Sequence, residues 1–395
     1  MKRTYKLHRF LHAAIIFFFL LANVIFAAET KTKPHRRHRR VVHHAVATKR
    51  RAVAHRSSRT VVHRASYRVA APVIRGGPWT EPTYADSTVG DNADGEDLEV
   101  RRAAVDALGP YNGSVVVVDP GTGRILSIVN QKLALHAGFQ PCSTIKIAVA
   151  LAALSENVVG SDGRLFRHGY NLTEALAHSN NYYFATLGIK LGFERVSYYA
   201  HLFGYGEKAG LDIPGETAGA FPSAPPRNGG VGMLSSFGEE ISQTPLQLAA
   251  LVSALANGGT LYYLQYPRTQ QEVNDFTPRV KRQLDIGRLI PFVKRGMLAA
   301  VQYGTARRAQ QDEPIAGKTG TCTDSHTHLG WFGSFNDVGS RKLVVVVLLT
   351  GGRPAIGPLA AGVAGDVYKD LAQKNYFASR RSITPLISTQ ICCAR

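Results

Sequence analysis

From residue 98 onward, apolar and polar positions alternate with a succession of readable periods. Leu98 to Leu108 predicts a helix. Ser114-Val115-Val116-Val117-Val118-Asp119, the turn Pro120-Gly121-Thr122-Gly123 and Arg124 to Val129 predict a β-hairpin. Uninterrupted valine is what a strand buried on both faces shows. A helix is expected after Pro141, carrying Ser143, passing through the apolar run Ile147 to Leu154 and ending near Glu156. Helical spacing recurs at Leu172, Leu176, Tyr183, Leu187 and Leu191, with Ser179 and Asn181 in a break or connecting turn. Gly-rich loops follow up to Val231. Pro245 to Asn257 predicts an amphipathic helix stopped by Gly258-Gly259, and another runs from about Ile286 to Tyr303. Two strand candidates, Gly330 to Phe335 and Leu343 to Leu349, precede a last helix from about Leu359 to Gln373. Strands at both ends with helices between predict an α/β sheet enclosing a helical insert.

The first 95 residues follow another logic. Lys2, Arg3, Lys6 and Arg9 precede an apolar stretch, Phe10 to Ala28, that His12 and Asn23 interrupt and Ala27-Ala28 close. That is the pattern of an export signal. The core from Ala13 to Ala28 is short for a span of about 20 residues, so a cleaved signal and a retained anchor over residues 1–28 both stay open. Either places the remainder outside the cytoplasm. Residues 29–95 read as a basic, disordered tail and linker, 96–380 as the folded domain, and 381–395 as a C-terminal tail without a clear element.

Charge sharpens this division. The net charge is +19, and residues 30–80 hold 14 Lys/Arg with no Asp or Glu. With Tyr67 as its only aromatic before Trp79 apart from histidine, this tail cannot bury enough apolar surface to fold alone. It is expected to be a solvated tether, or an electrostatic anchor to anionic lipid or acidic wall polymer at about 1 kcal/mol per basic residue. Its charge would suit nucleic acid, but the export segment ahead of it argues against any specific nucleic-acid partner. Four cysteines are too few for a disulfide scaffold. No Cys-x-x-Cys or zinc-spaced cluster is present, and the six histidines from His35 to His63 fix no ligand geometry.

The chemistry lies in three short motifs. Ser143 and Lys146 stand three apart at a helix start and so share a face. A free hydroxyl is a weak nucleophile and needs a base, which Lys146 supplies if its pKa falls. Burial and a second cation both lower it, and Lys318 would be that cation. The histidines show no Ser/His/Asp partner pattern. Ser179-Asn180-Asn181 and Lys318-Thr319-Gly320-Thr321 complete the set; two hydroxyls and an ammonium suit a carboxylate, and Gly320 would let a substrate backbone approach.

Together these motifs resemble the signature of penicillin-binding proteins and serine β-lactamases. The span from about Tyr111 to Leu371 is similar to the transpeptidase domain of penicillin-binding proteins. The opening hairpin carries the likeness, as do Phe203-Gly204-Tyr205-Gly206 with Gly210-Leu211-Asp212-Ile213-Pro214-Gly215-Glu216, Thr244-Pro245-Leu246-Gln247-Leu248-Ala249, and Gly304-Thr305-Ala306. The resemblance implies an antiparallel sheet flanked by helices, with a helical subdomain. It implies Ser143 as acyl-enzyme nucleophile, Lys146 as its base and Ser179 as proton relay. Asn181 would hold the acyl amide, and Lys318, Thr319, Gly320 and Thr321 would form the strand that binds the terminal carboxylate of D-Ala-D-Ala or a β-lactam. The oxyanion hole would be the N–H groups of Ser143 and Thr321. Peptidoglycan stem peptides and β-lactams are the implied partners, with no metal or organic cofactor.

This chain also departs from the family. Larger members carry a further domain ahead of this one, for which the tail and linker are expected to leave no room. Gly238-Glu239-Glu240-Ile241-Ser242-Gln243 differs from the usual loop before Thr244. Cys142 precedes the nucleophile and Cys322 follows Thr321. Some serine carbapenemases carry a disulfide at similar positions, which implies a Cys142–Cys322 bridge, with two unpaired buried thiols as the alternative. Cys392 and Cys393 have no assigned role. A serine β-lactamase using Glu216 to activate water, and a non-catalytic penicillin sensor or wall-binding protein, are the competing functions.

Overall fold

The computed structural model describes residues 79–378 except 161–162, 166–169, 325 and 338–340. The expected export segment, nearly all of the basic tail, and Cys392 and Cys393 lie outside the described residues. Helix α1 (Leu98–Leu108) leads into the hairpin β1 (Gly113–Asp119) and β2 (Arg124–Val129). After the helical insert, which carries the small hairpin β3 (Thr260–Tyr262) and β4 (Val280–Gln283), come β5 (Ile315–Thr323), β6 (His328–Asn336) and β7 (Val344–Gly351). These strands form one sheet in the order β2-β1-β7-β6-β5, every neighbour antiparallel. The α/β architecture expected from the resemblance is the observed one.

The valine runs place the sheet between two layers. Val115 and Val117 of β1, with Val345 and Val347 of β7, pack against α1 and the last helix, Gly357–Gln373. Val116, Val118, Val344 and Val346 face the opposite way, toward the helix Pro245–Asn257 and the insert. Successive strand residues point to opposite faces, so a run of valine satisfies both layers. Strand β5 pairs with β6 on one side only, which leaves a row of main-chain groups for an extended ligand.

The helix Pro245–Asn257 begins where expected because Thr244 and Gln247 form a reciprocal capping box. The amide of Gln247 also donates to the carbonyls of Glu207 and Ala218, at 2.8 and 2.7 Å. That bond ties the mid-domain loops to the insert.

The periodic stretch 172–191 divides at Ser179, where a break is expected, into the helices Leu172–Ala177 and Asn181–Leu202; Asn181 opens the second, which Gly192 kinks. Two features differ from expectation. Three short helices, Gln131–His136, Gly230–Phe237 and Gln270–Asn274, and the small hairpin Thr260–Tyr262 with Val280–Gln283, are not predicted from the sequence. Their apolar runs are too short to show a period. Residues 79–95, expected as linker, are fastened to the domain. Asn112 donates its N–H to the Thr83 carbonyl, and the Thr83 hydroxyl accepts from the Gly352 N–H. Asp91 and Glu96 both bridge to Arg101 at 2.9 Å. Glu96 also accepts from Ser127 and from the Ile128 N–H. The segment has few apolar residues, so its docking through polar and main-chain bonds left no hydrophobic pattern to read.

Candidate active site

Ser143 lies in a 3-10 turn, Cys142–Ile145, which passes directly into the helix Lys146–Ser155. The sequence predicts one continuous helix, and the tighter opening matters. In 3-10 geometry side chains three apart eclipse one another, so Lys146 stands over Ser143, with Nζ 2.7 Å from its hydroxyl oxygen. Cys142 enters the turn with φ 51°, in the left-handed region.

Ser179 occupies the junction between the helices Leu172–Ala177 and Asn181–Leu202, also left-handed at φ 55°. Asn180 caps the second helix through its side chain, which places Asn181 in its first turn. Lys146 Nζ donates to Asn181 Oδ1 at 2.6 Å and lies 3.2 Å from both the carbonyl and the hydroxyl oxygen of Ser179. Lys318, on β5, reaches the same hydroxyl at 2.9 Å and the Thr319 carbonyl at 2.8 Å. The structure therefore brings Ser143, Lys146, Ser179, Asn181 and Lys318 into one contact network.

Thr319 shares a hydrogen bond of 2.7 Å with Thr305. The sequence offered Thr305 only as part of a family word, not as a site residue. Thr321 is exposed, and its hydroxyl accepts from the Gly357 N–H at 2.8 Å. For Gly320 the structure gives a second reason beyond substrate approach. A Cβ there would lie 2.9 Å from the Pro141 carbonyl and 3.1 Å from the Trp331 side chain. Glycine is what allows the Ser143 turn to sit against the strand. A disulfide between Cys142 and Cys322, with Cα atoms 5.5 Å apart, ties the same two elements together.

Both lysines are fully buried. Burial, with the Lys318 charge added, lowers Lys146 to about 6. Burial lowers Lys318 to about 7. The rings of Phe184 and Phe237 each lie 5.7 Å from Lys146 Nζ and keep water off the amine. A neutral amine has two N–H donors and one lone pair. The Asn181 oxygen and the Ser179 carbonyl take donors only, so the lone pair is left facing a serine hydroxyl. That is the arrangement a general base needs.

The unusual loop Gly238 to Gln243 is anchored by a two-way main-chain pairing between Phe139 and Gln243, at 2.8 and 2.7 Å. It supports the residues just before Ser143. Glu216 stands apart from this network: its carboxylate accepts the N–H groups of Ala209 and Gly210 and holds that loop. Its role is spent on backbone. A groove of about 1200 Å3 lined by Gln131, His136, Tyr266, Arg268 and Phe276 includes no residue of the three serine and lysine motifs. Among the described residues, no group of three or more His, Cys, Asp or Glu is placed to hold a metal, and no helix is long and apolar enough to cross a membrane.

Residues 113–372 match the penicillin binding protein transpeptidase domain. Stage V sporulation protein D of Bacillus subtilis is 30% identical over 311 residues, covering 67% of this chain and 48% of that protein. The peptidoglycan D,D-transpeptidase MrdA of Haemophilus influenzae is 25% identical over 369 residues, covering 68% and 54%. The chain thus spans about half the length of these relatives. Among solved structures, Pseudomonas aeruginosa PBP2 in complex with WCK 5153 superposes with a TM-score of 0.60 at 26% identity, over 71% of this chain and 76% of the other. The D,D-transpeptidase domain from Eggerthella lenta shares the fold, with a TM-score of 0.58 at 22% identity over 71% and 82%.

Proposed function

The chain belongs to the penicillin-binding protein transpeptidase family, and from that premise we propose that it is a D,D-transpeptidase or carboxypeptidase acting on D-Ala-D-Ala stem peptides of peptidoglycan outside the cytoplasm. The observation that carries the reading is the 2.7 Å contact between a buried, pKa-lowered Lys146 and Ser143. Neutral Lys146 takes the Ser143 proton as Oγ attacks the penultimate carbonyl carbon. The oxyanion is received by the N–H groups of Ser143 and Thr321. Ser179, touching both lysines, passes a proton to the leaving nitrogen, and D-alanine departs. Asn181 orients the acyl amide, while Lys318, Thr319 and Thr321 hold the terminal carboxylate. A second amine, or water, then releases the acyl group from Ser143. β-Lactams enter the same path, with a ring nitrogen as the tethered leaving group. The basic tail acts as the attachment to anionic lipid or wall polymer.

The placement of Glu216 disfavours the β-lactamase reading, which needs a free base beside the ester. A penicillin sensor would bind β-lactam without processing a stem peptide.

The two lysine pKa values set a pH profile. Chemistry needs Lys146 neutral, so the rate rises with pH through about 6. Carboxylate binding needs Lys318 charged, so the rate falls as pH passes about 7. The ratio kcat/KM reports groups of the free enzyme. Release of D-alanine from a pentapeptide is therefore expected to give a bell over this range. A pentapeptide ending in D-alaninamide, without the carboxylate, is expected to lose the descending limb. An ascending limb above pH 9 would exclude Lys146 as the base; no D-alanine at any pH would favour the sensor.

A further inference from the structure

Beside the acylation network lies a group of side chains that the reaction above does not use. Glu174, in the helix Leu172–Ala177, accepts a hydrogen bond from the Tyr303 hydroxyl at 2.8 Å. Its second oxygen is 3.4 Å from His178 Nε2. The His178 ring lies between two tyrosine rings, 5.8 Å from Tyr303 and 6.0 Å from Tyr170. Tyr170 and Tyr303 are 45% and 43% exposed, so the group presents aromatic surface and a carboxylate to solvent.

Its position follows from the backbone. His178 immediately precedes Ser179, whose hydroxyl contacts both lysines. Tyr303 lies two residues before Thr305, whose hydroxyl contacts Thr319. The two segments are locked together, since the Thr305 N–H donates to the Ala177 carbonyl at 3.0 Å and Gly304 packs on that same carbonyl, where a Cβ would come within 2.1 Å. The cluster is therefore carried by the two segments that present Ser179 and Thr305 to the site. Theirs is the side where the leaving D-alanine is held.

We propose that Glu174, His178 and Tyr303 form the subsite for the acyl acceptor, and that it selects a primary amine arriving as an ammonium ion. The proposal rests on the acyl-transfer reading of Ser143. The acceptor must enter where the leaving group departed, and in water an amine carries a positive charge. A carboxylate flanked by aromatic rings attracts such a cation. Glu174 is held by the Tyr303 hydroxyl on one oxygen and faces His178 Nε2 at 3.4 Å with the other, which fixes its direction. The ammonium loses one proton to solvent as it docks. Its nitrogen then attacks the ester carbon, the new C–N bond forms and the C–Oγ bond of Ser143 breaks. The remaining surplus N–H proton returns through Lys146 to Ser143 Oγ, and the products are an amide and the free serine.

The test uses the full chain with a D-alanyl thioester as acyl donor, and reads the ratio of aminolysis to hydrolysis. That ratio is normalised to acyl-enzyme formed, so a change in acylation cancels. D-alaninamide serves as the cationic acceptor and hydroxylamine, uncharged at neutral pH, as the comparison. Glu174→Gln is expected to lower the ratio about fivefold for D-alaninamide and less than twofold for hydroxylamine. Glu174→Asp is expected to recover most of the loss. Should Glu174→Gln fail to fold, Tyr303→Phe carries the same comparison, because it removes the bond that orients the carboxylate. Equal falls for both acceptors, or no fall for D-alaninamide, overturn the subsite while leaving Ser143 chemistry intact. Absence of any acyl-enzyme in the unaltered protein overturns the acyl-transfer reading and the subsite with it.

Discussion

Replacing Lys146 with methionine is expected to slow acylation of Ser143 by a β-lactam by about a thousandfold, within the range of a lost general base. Methionine keeps much of the stem's volume but has no proton-accepting nitrogen. In the native site Nζ is 2.7 Å from the Ser143 hydroxyl oxygen and its pKa is lowered to about 6. Most of the amine is therefore already neutral at pH 7, and little energy is needed to generate the base. Stability is expected to move far less than the rate. Removing a buried amine also removes its desolvation cost, and Asn181, being exposed, regains a hydrogen bond from water. The check is the second-order acylation rate constant alongside the thermal midpoint. A large fall in both would mark Lys146 as a structural residue, and an unchanged rate would assign the base elsewhere.

The second large effect is expected on opening the Cys142–Cys322 bridge. The disulfide closes a sequence separation of 180 residues, for which loop-closure entropy corresponds to about 5 kcal/mol. Cys142 also holds a left-handed backbone conformation, at φ 51°, of order 1–2 kcal/mol above the right-handed one for an L-residue. Once the bridge is gone, little covalent restraint keeps Ser143 aligned with Thr321. A misplacement of about 1 Å costs on the order of a hundredfold in rate. The paired substitution Cys142→Ala with Cys322→Ala is expected to lower the urea midpoint and to slow acylation about 10–100-fold. Reductant should act on the native protein in the same direction and leave the double variant unmoved. Equal acylation with and without the bridge would reduce its role to stability alone.

The parts of this molecule that were legible in the sequence are those whose cause is local. Four adjacent valines specify a strand buried on both faces, and Thr244-Pro245 with Gly258-Gly259 mark both ends of a helix. The serine and lysine motifs could be read as chemistry because their order supplies a nucleophile, a base and an anion receptor. What escaped has a tertiary cause. The 3-10 opening at Ser143 depends on Gly320 admitting the Pro141 carbonyl, a contact between residues far apart in the chain. The docking of residues 79–95 rests on Glu96 and Asp91 meeting Arg101 and the β2 backbone, and such polar contacts leave no periodic trace. Thr305 sat inside a recognised word, but only the fold shows its hydroxyl against Thr319. Glu216 seemed at a useful distance along the chain, yet its carboxylate is committed to a loop.

The central claim is that Ser143 carries the acyl group, and mass spectrometry of the full chain incubated with benzylpenicillin tests it most directly. One penicilloyl adduct is expected, on the peptide containing Ser143, persisting after free penicillin is removed and absent from Ser143→Ala. An adduct on another residue, or one retained in Ser143→Ala, would contradict the account. Hydrolysis of benzylpenicillin with no adduct accumulating would identify a β-lactamase instead.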